Sequence, residues 1–345
     1  MHEHGAGPAS KRRRRLHAVL GLTLSLAIFF ALSETGIRAY WTWRKLSFFG
    51  CQNQIFLVFH RQLEVVLNTP VERGDGVFDV LLLGGSVLHP EFATIDRQLG
   101  EQIETRIDGP VRVHNVSGTG HVSLDSFYKY RHLTDKSFDL VLVYHGVNEV
   151  RANNCPDELY RDDYSHYAWY ADLNAFERAP GARWLASPYT FGMLWRRGTA
   201  VLGLRAYQPK NLSAGDPAWV QHGAHIKTQK AFDRNLSAIV ELAKQKNQTL
   251  VLMTFAYYNP PQFPDAWYPT RIWGRPANVE KGIRAHNDVV SRLVQTNPEL
   301  IFVDQNRLIP KEKAYFRDVC HLSEQGSERF VQNVMGVLEG QKILQ

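Results

Sequence analysis

Asp79-Val80-Leu81-Leu82-Leu83-Gly84-Gly85-Ser86-Val87 is the stretch from which the fold is read. The apolar run Val80 to Leu83 stops at two glycines, and a serine follows. Such a run bounded by turn residues reads as a strand buried on both faces. The turn then lifts Ser86 out of the carboxyl edge of a sheet, where open α/β sheets place their sites. Taken alone, the plainer reading is a strand-to-helix loop with Ser86 as a helix N-cap. The rest of the chain decides between the two.

From Phe78 onward strands and helices alternate. The spacing predicts a helix over Ile95 to Ile107 and a second strand over Val111 to Asn115. A helix over Ser123 to Leu133 and a third strand over Phe138 to Tyr144 follow. Next come an amphipathic helix over Lys230 to Lys246 and a fourth strand over Thr249 to Thr254. Val279 to Val294 reads as helix, Leu300 to Asp304 as a fifth strand, and Ser323 to Leu338 as the closing helix. This alternation implies a three-layer α/β/α domain with a doubly wound, parallel, five-stranded sheet. Residues 155–226 break the rhythm with Tyr160, Tyr164, Tyr167, Trp169, Tyr170, Trp184, Tyr189 and Trp195. So does Tyr257 to Pro276, which is rich in proline. Long irregular loops in compact domains are usually functional or disordered, and the aromatic content argues against disorder. A cap over the carboxyl edge, able to bind an apolar or sugar substrate, is expected; ordinary insertions with small cores of their own are the alternative.

The net charge of +6 is placed unevenly: residues 1–15 carry +4 of it, through Lys11 and Arg12 to Arg15. The body is nearly neutral and has no basic stripe interleaved with aromatics, so nucleic acid is not an expected partner. The basic run precedes Leu16 to Leu32, whose only polar members are His17, Thr23 and Ser25. As a helix this run spans roughly 25 Å, and extension through Ile37 reaches the ~30 Å of a bilayer core. Cations before the span predict a cytoplasmic N-terminus and an exported remainder. The expected layout is a basic tail at 1–15, a transmembrane signal anchor at 16–37, a membrane-proximal segment at 38–77 and an α/β domain at 78–345. A cleaved signal peptide fits the charges, but no clear small-x-small cleavage site is present. Cys51, Cys155 and Cys320 suit an exported chain with at most one disulfide. Cys155 and Cys320 each sit at a motif loop and form the candidate bridge; three unrelated thiols is the alternative.

A serine becomes a nucleophile when a base takes its proton. The candidate base is His321, three residues after Asp318, in the loop following the fifth strand. In a turn, that carboxylate reaches the ring Nδ1 and leaves Nε2 for Ser86. Acyl transfer also needs donors aimed at a developing oxyanion. Gly120, in Asn115-Val-Ser-Gly-Thr-Gly120, would present its N–H, and Asn148, in Gly146-Val-Asn148-Glu149, its side-chain amide. Singly these loops read as glycine turns. Four of them at four carboxyl ends are hard to obtain by chance.

Together the blocks Leu83-Gly84-Gly85-Ser86, Asn115 to Ser123, Gly146-Val-Asn148-Glu149 and Asp318-x-x-His321 resemble the SGNH, or GDSL-type, hydrolase superfamily over residues 78–340. The resemblance implies a flavodoxin-like sheet, Ser86 as nucleophile and His321 as base, oriented by Asp318. It implies an oxyanion hole made by the Ser86 N–H, the Gly120 N–H and the Asn148 amide. Gly85 departs from the family, which carries Asp there, and Glu149 stands where Asp is commoner. No cofactor is implied. His89, His121, His145 and His321 lack ligand-like spacing, so no metal site is expected. The expected function is a membrane-anchored serine esterase acting on O-acyl, mainly O-acetyl, esters of a polysaccharide or lipid. An O-acyltransferase with the same triad, and a non-catalytic envelope binding or assembly factor, are the alternatives.

Overall fold

Val80, Leu81, Leu82 and Leu83 are all buried in the middle of the first strand of the sheet, β1 (Phe78–Gly84). A strand covered on both faces needs apolar residues at successive positions, and this is why the run is continuous rather than alternating. The computed structural model describes residues 8–43, 56–57, 59–178, 198, 201–202, 209–214, 216–259 and 273–344. The chain divides into two compact units, residues 1–59 with 177–207 and residues 60–176 with 208–345.

The first unit contains α1 (Pro8–Trp43), 36 residues long. Its stretch Arg12–Tyr40 has a mean hydropathy of 2.0, and Leu16, Leu20, Leu24 and Leu32 are exposed on it. The helix is long and apolar enough to cross a membrane. Near its end Glu34 and Arg38 form an ion pair of 2.9 Å.

The second unit begins with α2 (Leu63–Asn68) and continues into β1. After β1 come α3 (Ile95–Glu104), β2 (Val111–Asn115), α4 (Ser123–His132) and β3 (Leu140–Tyr144). Then follow α5 (Val147–Asn153), α6 (Ala168–Arg178), α7 (Thr228–Gln245) and β4 (Thr249–Met253). The unit closes with α8 (Pro276–Thr296), β5 (Ile301–Val303), α9 (Gln305–Leu308) and α10 (Glu324–Gly340). The five strands are all parallel, in the order β2-β1-β3-β4-β5. This is the flavodoxin-like order, and its switch point lies between β1 and β3. Gly84 pairs with Tyr144 there, so the loops after both strands open into one crevice. Helix α3 packs on α10, while α4 packs on α7 and α7 on α8. Ile95, Leu99 and Ile103, four apart, are the buried stripe of α3. The start of the sheet is fixed by the fully buried Asp79, which accepts from Arg112 Nε at 2.8 Å and Nη2 at 2.7 Å and pairs with His114 Nε2 at 2.7 Å.

Most of the described aromatics of the irregular region point inward, while Tyr160 and Trp169 are half-buried. Tyr164, Tyr167, Tyr170, Leu173 and Trp219 are buried and form a small core of their own around His166. Trp184, Tyr189 and Trp195, the loop centre at 260–272, and Cys51 lie outside the described residues.

Candidate active site

Two glycines carry β1 into the site, and each is required by space. A Cβ on Gly84 would lie 2.9 Å from the Tyr144 carbonyl oxygen. A Cβ on Gly85 would lie 2.6 Å from Asn148 Nδ2 and 3.3 Å from the His121 carbonyl oxygen. Ser86 then opens a short 3₁₀ turn, Ser86–Leu88, and is 5% exposed.

The loop after β5 brings the partner. Arg317 N–H donates to the His321 carbonyl at 2.8 Å, and Phe316 bridges Leu322, closing a tight hairpin around Asp318 and His321. Behind it Ser323 caps α10 by accepting from Gly326 N–H at 3.0 Å. Asp318 Oδ1 accepts from the N–H groups of Cys320 at 2.9 Å and His321 at 2.8 Å. Its Oδ2 meets His321 Nδ1 at 2.6 Å, and His321 Nε2 meets Ser86 Oγ at 2.8 Å. Burial alone would push the Asp318 carboxyl up, but the His321 ring and these N–H groups outweigh it, and its pKa falls below the ordinary value. Phe92 stacks on the His321 ring, with centroids 4.7 Å apart and planes at 20°. Nothing in its sequence context singles Phe92 out, since it lies in an aperiodic loop.

The loop after β2 and the start of α5 meet at Gly85. Asn148 Nδ2 donates one hydrogen to the His121 carbonyl at 2.9 Å, leaving the other for a ligand. Gly120 has φ +75°, and a Cβ there would touch nothing within 4 Å. Glycine is therefore required at 120 by its left-handed backbone rather than by crowding. Gly118 shows the reverse, because the His121 ring folds over it and a Cβ would lie 2.2 Å from that ring. Asn115 supports the same loop, donating to the Leu88 carbonyl at 2.7 Å and accepting from Ser117 N–H and Oγ–H. Gly120 and His121 line a cavity of about 110 Å³ with Thr119, Trp169 and Tyr170.

Beneath this loop lies a buried polar cluster that no motif announces. Lys129 is fully buried on α4 and donates to the Val116 carbonyl, with its Nζ 2.9 Å from His121 Nδ1. Burial pulls its pKa down to about 8, against the opposing charge of Asp125. Asp125 accepts from Val122 N–H at 2.9 Å and from Tyr170 Oη at 2.8 Å. Lys129 therefore ties both ends of the loop 116–121 to one helix. Lys129→Met removes the donor to the Val116 carbonyl and the positive charge that favours the ionised form of the buried Asp125, which is expected to cost on the order of 3 kcal/mol of stability. Adding Asp125→Asn should recover part of that loss. Urea unfolding of the detergent-solubilised chain checks both, and equal stability of Lys129→Met and wild type would count against this role of Lys129.

Glu149 is also fully buried, and its Oε1 accepts from Ser123 N–H, while among the described residues Oε2 has no hydrogen-bond partner. Burial raises its pKa from 4.5 to about 7. A carboxyl raised on folding adds stability below its unfolded pKa and loses it as pH rises through the folded one. The chain is expected to lose a few kcal/mol from this group between pH 4.5 and about 7. Glu149→Gln, uncharged throughout, should flatten that limb, so it gains on wild type at pH 8 far more than at pH 4.5. Equal gains at both pH values would show that Glu149 does not titrate there.

The structure brings His60, His121 and Asp125 together, their ligand atoms lying within 4.8 Å of one another. The ammonium of Lys129 already stands at His121 in this group, a poor setting for a dication. His145 pairs with Ser126 Oγ at 2.7 Å, and the His89 ring lies against Phe92. The candidate disulfide is corrected: Cys155 and Cys320 are both free and buried. Cys155 Sγ donates to the Pro156 carbonyl at 3.4 Å, while Cys320 Sγ sits 3.7 Å from His321 Nδ1. Burial pushes both thiols up, Cys155 to about 12.

No protein-family profile matches the chain, and no curated protein matches it. Solved structures do. A GDSL-like lipase from Bacteroides thetaiotaomicron is similar with a TM-score of 0.48 and 13% identity, over 82% of this chain and 98% of that one. An acetylxylan esterase from Geobacillus stearothermophilus is similar with a TM-score of 0.44 and 13% identity, over 78% of this chain and 96% of that one.

Proposed function

We propose that this chain is a membrane-anchored serine esterase that hydrolyses O-acyl esters, chiefly O-acetyl, of a polysaccharide or lipid. The observation that carries the reading is the unbroken line of contacts from Asp318 Oδ2 through both His321 nitrogens to Ser86 Oγ, at 2.6 and 2.8 Å. Ser86 Oγ attacks the ester carbonyl carbon, and His321 Nε2 takes its proton. The tetrahedral oxyanion is held by the Ser86 N–H, the Gly120 N–H and the free hydrogen of Asn148 Nδ2. Collapse breaks the C–O bond, and His321 returns the proton to the leaving alcohol. Water, deprotonated by His321, then attacks the acyl-Ser86 ester and releases the acid. The cavity of about 110 Å³ beside Gly120 favours a short acyl group.

The apolar helix α1, led by Arg12 to Arg15, supports a single-pass anchor with residues 1–15 in the cytoplasm and the α/β unit exported. The test is labelling of the detergent-solubilised chain with a fluorophosphonate, read by peptide mass, alongside turnover of p-nitrophenyl acetate. Labelling at Ser86 with turnover is the expected result. Absence of both from folded protein sinks the reading, and labelling without turnover favours transfer to an acceptor alcohol over hydrolysis.

A further inference from the structure

Arg151 lies on α5 three residues after Asn148, so the two share one face of the helix. Its Nη2 donates to the Leu212 carbonyl at 3.2 Å and reaches Ser213 Oγ at 3.5 Å. Leu212 and Ser213 line the same small cavity as Gly120 and His121. The guanidinium carbon lies 5.0 Å from the centre of the Trp273 ring, and its charge is felt at Cys320, the neighbour of His321. Arg151 thus touches two of the residues that line the cavity beside Gly120.

Its partners are unusual for a half-buried cation. Arg112 meets the Asp79 carboxylate and Lys129 is offset by Asp125. Among the described residues no carboxylate lies within ion-pair distance of Arg151, and its Nε is buried with no acceptor. The side chain as a whole is only partly covered. Withdrawing a guanidinium from water without a counter-ion is costly, and a bound anion offsets that cost. The planar fork of arginine fits a carboxylate or a phosphate through paired N–H···O bonds.

We propose that Arg151 binds an anionic group, carboxylate or phosphate, on the alcohol part of the ester substrate. The inference rests on the esterase reading above and names the class of ester that this site selects: an acylated acidic sugar or an acylated glycerol phosphate. Arg151 is a specificity-determining residue here, so it acts on KM and not on the chemical step.

The experiment measures kcat/KM of the full chain in detergent, at low salt, on three acetyl esters. These are an acetylated oligogalacturonate, 1-acetylglycerol 3-phosphate and a neutral acetylated xylo-oligosaccharide. One anionic ester is expected to exceed the neutral one by about tenfold or more, and which of them does so identifies the source of the anion. Arg151→Met should bring that ratio close to one through KM, and Arg151→Lys, which keeps charge but loses the fork, should fall between. An unchanged ratio in Arg151→Met, or no anionic preference in wild type, overturns the proposal. If the chain hydrolyses no ester, p-nitrophenyl acetate included, it is the esterase reading that fails. Calorimetry with galacturonate and with glycerol phosphate then decides on Arg151 alone. Binding by wild type that Arg151→Met loses supports the site, and no binding by wild type overturns it.

Discussion

Ser86→Ala is expected to abolish fluorophosphonate labelling and to lower kcat on an acetyl ester by roughly 10⁴- to 10⁶-fold. The side chain is nearly buried, and its Oγ bonds to His321 Nε2. Removing the oxygen deletes the proposed nucleophile and leaves the imidazole facing a methyl group, while the backbone N–H stays in place. The fold should be unaffected, since β1 ends before Ser86 and its packing rests on Val80 to Leu83. Cooperative unfolding at an unchanged urea midpoint is the control. Activity within tenfold of wild type would remove Ser86 from the chemistry. The same assay on His321→Ala should give a loss of the same order, and the double variant should lose little more, because the two side chains act as one unit.

The second large effect is expected at Asn148. Its amide spends one hydrogen on the His121 carbonyl and has one left, beside the space that Gly85 keeps open. Loss of a single oxyanion donor costs about 10²- to 10³-fold in kcat. Asn148→Ala should therefore reduce kcat by about that factor with little change in KM. Gly85→Ala should imitate it without touching the amide chemically. The added Cβ, 2.6 Å from Nδ2, forces Asn148 aside, and the His121 carbonyl at 3.3 Å blocks the other direction. An unchanged kcat in both variants would remove the amide from the transition state. A loss in Asn148→Ala alone would mean that the loop yields to the extra carbon.

Much of this architecture could be read in advance from local pattern. Val80 to Leu83 and Leu140 to Tyr144 are buried on both faces, so their apolar runs were unbroken, and each is followed within two residues by a glycine. Asp318 and His321 were legible because three positions is the reach of a carboxylate across a turn. The cluster of Lys129, Asp125, His60 and His121 was not: Asp125 and Lys129 are one turn apart on α4, but His60 and His121 reach them only after α4 folds under the β2 loop, and a buried lysine looks like any other lysine in sequence. The aromatic stretch after α5 was ambiguous for a related reason. Tyrosine suits a substrate platform and a small core alike, and Tyr164, Tyr167 and Tyr170 went to the core.

The order of strands across the sheet also sets the order of events during synthesis. β1 finds β2 and β3 within about sixty positions, but β3 pairs with β4 through Leu140 and Thr249, on the far side of the whole irregular region. Closing so long a loop is slow, and until it closes the edge Leu140-Val-Leu-Val-Tyr144 is unpaired and wholly apolar. Such a half-built sheet is a surface to which other chains adhere. The nascent chain therefore carries a long, sticky interval between the emergence of β3 and that of β4, and a chaperone that shields apolar edges would have its main work there.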